Sequence, residues 1–279
     1  MKMTSKFLIY PVLIISGGLL VFTLGCEKDD DDDADVNDNE NGNDDIVFDI
    51  DYGSVTDIDD NEYKTIVIGG QEWMAENLKV TKYNNGDEIL SGLSDQEWED
   101  TTEGAYTVYP PGDLEGIDSE EEVVEAYGRL YNWYAVDDSR DICPSGWHVP
   151  SNYEWTQLRE YLLDNYDAIS SSNIGNTLKS CRQDGSPLGD DCDTRDHPRW
   201  NGHGTHYGTD DFGFSALPGG GRGDDGNFQT IGFGGYWWSS TAIGSDGAFI
   251  TVLLYESGDL TVNGGDDRPA GFSVRCIKD

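Results

Sequence analysis

What most constrains this chain is its punctuation. From about residue 51 to the end, short runs of β-branched and aromatic residues are interrupted repeatedly by Gly, Asn and Asp. Such text favours short strands joined by turns and loops over long regular elements. Residues 63–68 form a β-branched run, Gly69-Gly70 supplies a tight turn, and Gln71-Glu72-Trp73-Met74 reads as the return strand of a hairpin. The preceding Asp57-Ile58-Asp59-Asp60-Asn61 has the alternating oxygens of a calcium loop. Glu62 and Ile68 stand where an EF-hand loop requires Gly and Glu, so a turn is expected instead. Two helices stand out, each opened by a capping box: Ser119-Glu120-Glu121-Glu122, and Ser151-Asn152-Tyr153-Glu154 just after Pro150. Val123, Tyr127, Leu130, Tyr131 and Tyr134 recur at helical spacing behind the first, and Trp155, Leu158 and Leu162 behind the second. Both stripes read as core. Residues 235–241, 248–255, 260–262 and 271–277 read as a closing meander, and no internal repeat is found. Strands, two helices, then strands describe an α+β domain: an irregular mixed fold of short antiparallel strands, two helices and long loops.

The first 50 residues are written differently. Lys2 and Lys6 give a positive start, residues 7–24 are largely apolar, and Gly25-Cys26 follows. This order describes a secretory signal. A permanent span is the rival, but the stretch is near the lower limit of length and carries Pro11, Gly17 and Gly18. The Gly-Cys ending resembles a lipobox, whose cysteine is diacylated and begins the mature protein. Thr23 stands where Leu is usual and Leu24 where a smaller residue is commoner. The acidic run after Cys26, Glu27-Lys28-Asp29-Asp30-Asp31-Asp32-Asp33, resembles the surface-export signal of Bacteroidetes lipoproteins. The expected organisation is a signal peptide over 1–25, an acidic, extended and mobile linker over 26–50 behind lipidated Cys26, and one domain over 51–279. The expected location is the outer membrane, lipid-anchored and surface-exposed, with the membrane as a partner through the lipid. A net charge of -38, from 55 acidic and 17 basic residues, repels phosphate backbones and excludes nucleic acid as a partner.

If Cys26 carries lipid, Cys143, Cys181, Cys192 and Cys276 remain, an even number in an oxidising compartment. Three pairings are open. Cys181 and Cys192 bracket a short polar loop, which favours a local bridge and leaves Cys143 with Cys276. A zinc site of four thiolates is the rival, but no Cys-x-x-Cys pair is present.

Six phrases resemble, in order, the domain named after Fibrobacter succinogenes, the "major paralogous domain". They are residues 70–78 (GQEWMAENL), 127–135 (YGRLYNWYA), 143–151 (CPSGWHVPS), 213–220 (GFSALPGG), 236–241 (YWWSST) and 271–276 (GFSVRC). The resemblance covers about residues 53–279 and implies an exported lipoprotein. The biochemical role of that family is not established. More distantly, Trp147-His148-Val149-Pro150-Ser151 leading to Glu154-Trp155, and Gly271-Phe272-Ser273-Val274-Arg275, are similar to phrases of the formylglycine-generating enzyme and C-type-lectin-like folds. That likeness implies an irregular C-type-lectin-like fold whose long loops carry any site. The enzyme's redox cysteine arrangement is not recognisable here, so its catalysis is not carried over.

Several clusters invite chemistry. His197, His203 and His206, with Asp193, Asp196 and Asp210, have zinc-like spacing, but a solvated loop is the favoured reading. His148 is expected to be structural and bonded to backbone. Arg222-Gly223-Asp224 spells an integrin-binding tripeptide, which a hairpin tip explains equally well. Ser239 and Ser240 lack the nucleophile elbow of a serine hydrolase. Asp210, Asp211, Asn263, Asp266 and Asp267 could offer hard oxygens to calcium, the one cofactor considered; the metal content is otherwise unknown. Tyr236, Trp237 and Trp238 are consecutive, so if Trp237 enters the core, Tyr236 and Trp238 face the other way and could stack on a sugar, with those acidic residues at the edge. The alternative is that both faces are covered. These readings lead to a non-catalytic, surface-displayed binding domain for a glycan or another cell-surface ligand. The rivals are a structural or adhesion component of the envelope, and an uncharacterised enzyme on a sulfatase-modifying-like fold.

Overall fold

The computed structural model describes residues 50–112 and 114–279. The chain divides into two units, 1–45 and 46–279. The signal segment, Cys26 and the acidic spacer through residue 49 lie outside the described residues. Every strand, helix and cavity of the domain belongs to the second unit.

In chain order the strands are β1 Gly53–Thr56, β2 Glu62–Ile68, β3 Gln71–Met74, β4 Tyr106–Thr107, β5 Leu130–Asn132, β6 Trp147–His148, β7 Gly221–Arg222, β8 Phe228–Gln229, β9 Gly234–Ile243, β10 Gly247–Leu254, β11 Thr261–Asp267, β12 Gly271–Phe272 and β13 Ile277–Lys278. The helices are α1 Asp95–Asp100, α2 Glu120–Tyr127, α3 Trp133–Val136, α4 Asn152–Asn165 and α5 Ile174–Leu178. Three sheets result, ordered β1-β2-β3-β13-β6, β11-β10-β9 and β4-β5-β12-β7-β8. The named strand pairs are antiparallel, so the fold is mixed and mostly sheet.

The β2–β3 hairpin pairs Ile68 with Gln71 across Gly69 and Gly70. Both glycines have positive φ, 61° and 81°, as a two-residue turn with matching twist requires. The Asp57 turn also forms. Its carboxylate accepts from Asp59 N, Asn61 N, Asn61 Nδ2 and the Tyr63 hydroxyl, so its oxygens are consumed by its own loop.

The closing meander holds for β9 to β11, but its last segment divides. β12 joins the third sheet between β5 and β7, and β13 joins the first between β3 and β6. Between them, Ser273 N donates to Tyr236 O and Ser273 O accepts from Trp238 N, so residues 271–278 touch all three sheets. The Cys143–Cys276 disulfide pins that segment to the loop before β6, and Cys181–Cys192 closes the short loop.

Both expected helices start at their capping boxes, Ser119–Glu122 and Ser151–Glu154. A third box, Ser94–Glu97, opens α1. The aromatic stripe behind Ser119 is not one helix. The α2 helix ends at Gly128, whose φ is 77° and whose missing Cβ would lie 2.7 Å from Asn77 Cβ. Leu130 and Tyr131 then belong to β5, and Tyr134 to α3. Period counting alone joined residues that a left-handed glycine separates.

Two large apolar clusters form the core. One holds Tyr131, Trp133, Trp238 and Phe272; the other holds Trp73, Trp155, Trp200, Phe214 and Trp237. Neighbours on a strand point to opposite faces, so β9 sends Trp237 into one cluster and Trp238 into the other.

Candidate functional site

Five of the six phrases, all but residues 143–151, meet at a buried polar hub. Asn77, from the turn after β3, makes four hydrogen bonds. Its Oδ1 accepts from Trp237 Nε1 at 2.9 Å and Arg275 Nε at 3.0 Å. Its Nδ2 donates to Tyr127 O at 2.8 Å and Ser273 Oγ at 3.2 Å. An amide offers two acceptor sites and two donors, so Asn77 is satisfied. Arg275 is fully buried and donates to Phe214 O, and to Ser215 O at 2.8 Å, while its guanidinium lies 4.5 Å from the Phe214 ring centre. Burial pulls its pKa down, opposed by the charges of Asp210, Glu76 and Tyr52.

Arg275 thereby fixes the loop 210–215. Asp210 Oδ1 accepts from Ser215 N at 2.7 Å and Oδ2 from Ser215 Oγ at 2.5 Å. Both residues adopt left-handed backbone, φ 50° and 51°, which costs roughly 1–3 kcal/mol each in non-glycine residues and persists only where partners enforce it. Burial raises the Asp210 carboxyl to about 6, against the lowering effect of the Ser215 bonds and Arg275. In front of this loop lies a cavity of about 340 Å³, lined by Tyr52, Glu76, Lys79, Tyr127, Asp210 and Ser215 among others. Tyr52 is 37% exposed, with Lys64 Nζ 5.3 Å above its ring. Burial raises the Tyr52 pKa, opposed by its bond to Ser215. Lys79 pairs with Glu125 at 3.0 Å. Glu76 makes no hydrogen bond to another described residue. The cavity therefore presents an exposed aromatic ring together with carboxyl, hydroxyl and ammonium groups.

Of the two readings of β9, a face that stacks on a sugar and a strand covered on both faces, the second holds. Trp238 is fully buried and its Nε1 donates to Tyr131 O at 2.8 Å. Tyr236 is half-buried, stacked 5.3 Å from Phe272. Both faces of β9 are covered because the strand runs between two cores. The acidic set is divided as well. Asp210 lines the cavity, and Asp211 beside it is half-buried, its pKa raised by burial. Asn263, Asp266 and Asp267 are exposed on β11, where Asn263 Oδ1 accepts from Asn152 Nδ2 and Asp266 Oδ1 from Asp267 N. Among the described residues, no group of three or more His, Cys, Asp or Glu side chains is arranged to hold a metal ion.

The three clustered histidines are spent separately. His197 Nδ1 meets the Tyr127 hydroxyl, and burial lowers its pKa to about 4. His203 Nδ1 accepts from Thr205 N and His206 N, and its ring stacks on His206 at 4.9 Å. His148 bonds not to backbone but to two carboxylates, Asp279 at 2.7 Å and Glu154 at 2.9 Å. Arg222 of the Arg-Gly-Asp tripeptide is 3% exposed. It donates to Gly226 O and Asp95 and lies over Trp98, so it is unavailable to an integrin.

Sequence reasoning missed Tyr52, Glu76 and Lys79 as site residues. Glu76 falls inside the phrase GQEWMAENL, which was the one signal pointing to this place.

No curated protein and no solved structure matches the chain. The family described as Fibrobacter succinogenes major domain matches residues 66–278. That span runs from within β2 to β13 and contains the Asn77–Arg275 hub and all six phrases, so the chain belongs to the Fibrobacter succinogenes major domain family.

Proposed function

We propose that this chain is a lipid-anchored, surface-displayed and non-catalytic binding protein that takes a glycan residue in the Asp210 cavity. The supporting observation is the company kept by Tyr52. An exposed ring beside Glu76, Asp210, Ser215 and Lys79 offers an apolar face with acceptors and donors at its edge, in about 340 Å³. Sugar hydroxyls need that combination. Ser215 and Asp210 bond to each other and hold a strained loop, which gives them a positioning role rather than that of nucleophile and base. A C-type-lectin-like fold, with its site on loops, is part of this reading.

The second reading is an envelope or adhesion component, favoured by the burial of both β9 tryptophans, which removes the sheet surface a sugar would stack on. A glycan array on the full chain separates the two. Saturable binding that is lost in Tyr52→Ala and in Glu76→Gln supports the cavity. No glycan bound, or binding unchanged in both variants, removes it and leaves the envelope reading.

A further inference from the structure

The sign of the charge changes at the Asp210 cavity. Over the whole chain 55 acidic residues stand against 17 basic ones, a net charge of -38. On the cavity wall Lys64, Lys79 and Arg182 meet Glu76, Glu125 and Asp210, an even balance. Arg275, fully buried behind the Asp210 loop, adds a fourth cation within electrostatic reach of Asp210 and Glu76. The site is therefore locally cationic on a strongly acidic protein. A cleft of one sign with low-dielectric walls concentrates ligands of the other sign.

Pairing sharpens the imbalance. Lys79 is answered by Glu125 at 3.0 Å, and Asp210 by its bonds to Ser215 and the charge of Arg275. Lys64 and Arg182 form no ion pair with a described residue. Arg182 is held without being neutralised. Its Nε donates to Pro198 O at 2.8 Å and its Nη2 to Asp196 O at 3.2 Å, both uncharged acceptors, and its Nη1 has no hydrogen-bond partner among the described residues. A guanidinium oriented by carbonyls keeps its charge and its remaining donors for a carboxylate. Lys64 Nζ lies 5.3 Å over the centre of the Tyr52 ring, where the proposed function places the sugar. Glu76 stands against these two cations and is suited to accept from sugar hydroxyls.

We infer that the glycan residue taken by the Asp210 cavity is an acidic sugar of the uronic acid class, its carboxylate read by Lys64 and Arg182. The inference rests on the glycan reading above and names the chemistry of its ligand. A neutral sugar would leave both cations unanswered, whereas one carboxylate balances the site and gains charge-assisted hydrogen bonds.

The test is calorimetric titration of the full chain at about 0.15 M ionic strength, where diffuse attraction is screened beyond about 8 Å. The probes are trimers of galacturonic, glucuronic and mannuronic acid, and the same trimers as methyl esters, which remove the charge and keep the ring. At least one acid trimer should bind at a single saturable site, with its ester weaker by about tenfold or more, the scale of one charge-assisted contact. Arg182→Gln should weaken that acid trimer by about tenfold. Lys64→Gln, on an exposed strand position that folding does not depend on, should weaken it by about fivefold or more. Lys278→Gln, which removes the same charge at a half-exposed position away from the cavity, should leave it within about twofold. Esters that bind as well as the acids, equal weakening by Lys278→Gln, or no acid trimer bound overturns the inference. A neutral glycan that binds and requires Tyr52, with no acid trimer bound, overturns this inference alone and leaves the cavity reading standing. Acid binding that is unchanged in Tyr52→Ala, Lys64→Gln and Arg182→Gln lies elsewhere and overturns both.

Discussion

Asn77→Ala should be among the most damaging single substitutions in this domain. The change removes four buried hydrogen bonds at once. Two of the bereft atoms, Trp237 Nε1 and Arg275 Nε, bond to Asn77 alone, and Arg275 is fully buried and charged. Each orphaned group costs about 1–3 kcal/mol, with the charged donor at the upper end, so the loss is about 3–6 kcal/mol. That is a large share of the roughly 5–15 kcal/mol by which domains are stable. Ser273→Ala is the control. Asn77 Nδ2 keeps Tyr127 O, so the loss is about 0.5–1.5 kcal/mol. Asn77→Asp keeps both accepted bonds and loses both donated ones, so it should fall between the two. Urea unfolding of the oxidised chain, followed by tryptophan fluorescence, gives the order of midpoints. If Asn77→Ala costs no more than Ser273→Ala, the hub does not hold the core and the reasoning is wrong. If Asn77→Ala does not fold, the Asn77→Asp midpoint carries the test.

Three further outcomes are expected. Cys143→Ser with Cys276→Ser should lower stability by about 2–5 kcal/mol in the loop-entropy view, more than loss of the Cys181–Cys192 bridge, since the separations are 133 and 11 residues; paired thermal melts and non-reducing peptide mapping check both order and connectivity. The bonds from Asp279 and Glu154 raise the His148 pKa even though partial burial alone would lower it. The folded pKa therefore lies above the unfolded value of about 6.5, so the stability this clamp contributes is complete below about pH 6.5 and is lost as pH rises through the folded pKa. The stability gap between parent and His148→Gln should shrink over that rise, and an NMR titration should show a lower His148 pKa in Asp279→Asn; a gap that widens with pH contradicts the clamp. For anchoring, Cys26→Ser should release the protein from the membrane fraction or leave the signal uncleaved, and unchanged mature mass and membrane association would refute lipidation at that residue.

Local rules were legible where the deciding atoms are close in sequence. The Gly69-Gly70 turn and the capping boxes at Ser119 and Ser151 appear where the residues say they should. The box at Ser94 obeys the same rule and could have been read too. The two bridges follow the order suggested by loop length. What was not legible depends on distant contacts. Gly128 breaks the helical stripe because Asn77 and Leu78 O occupy the space a Cβ would need. Trp238 faces away from Trp237, as alternation demands, but alternation cannot say that a second core waits on that side. Lys179 has no neighbour in sequence to mark it. It is fully buried, donates to His206 O and Ser257 O, and burial lowers its amine to about 7. The candidate site is of the same kind, since Tyr52, Glu76 and Asp210 come from separate parts of the chain and meet only through Arg275 and the loop it holds.

The location of the bound glycan is the most direct test of this account. Hydrogen–deuterium exchange on the full chain, with and without the glycan selected by the array, reads it in one experiment. Protection of amides in residues 50–54, 75–79 and 210–217, with 234–243 unchanged, is the expected result. Protection concentrated in 234–243, with the Asp210 loop unchanged, would return the binding face to β9 and contradict the account.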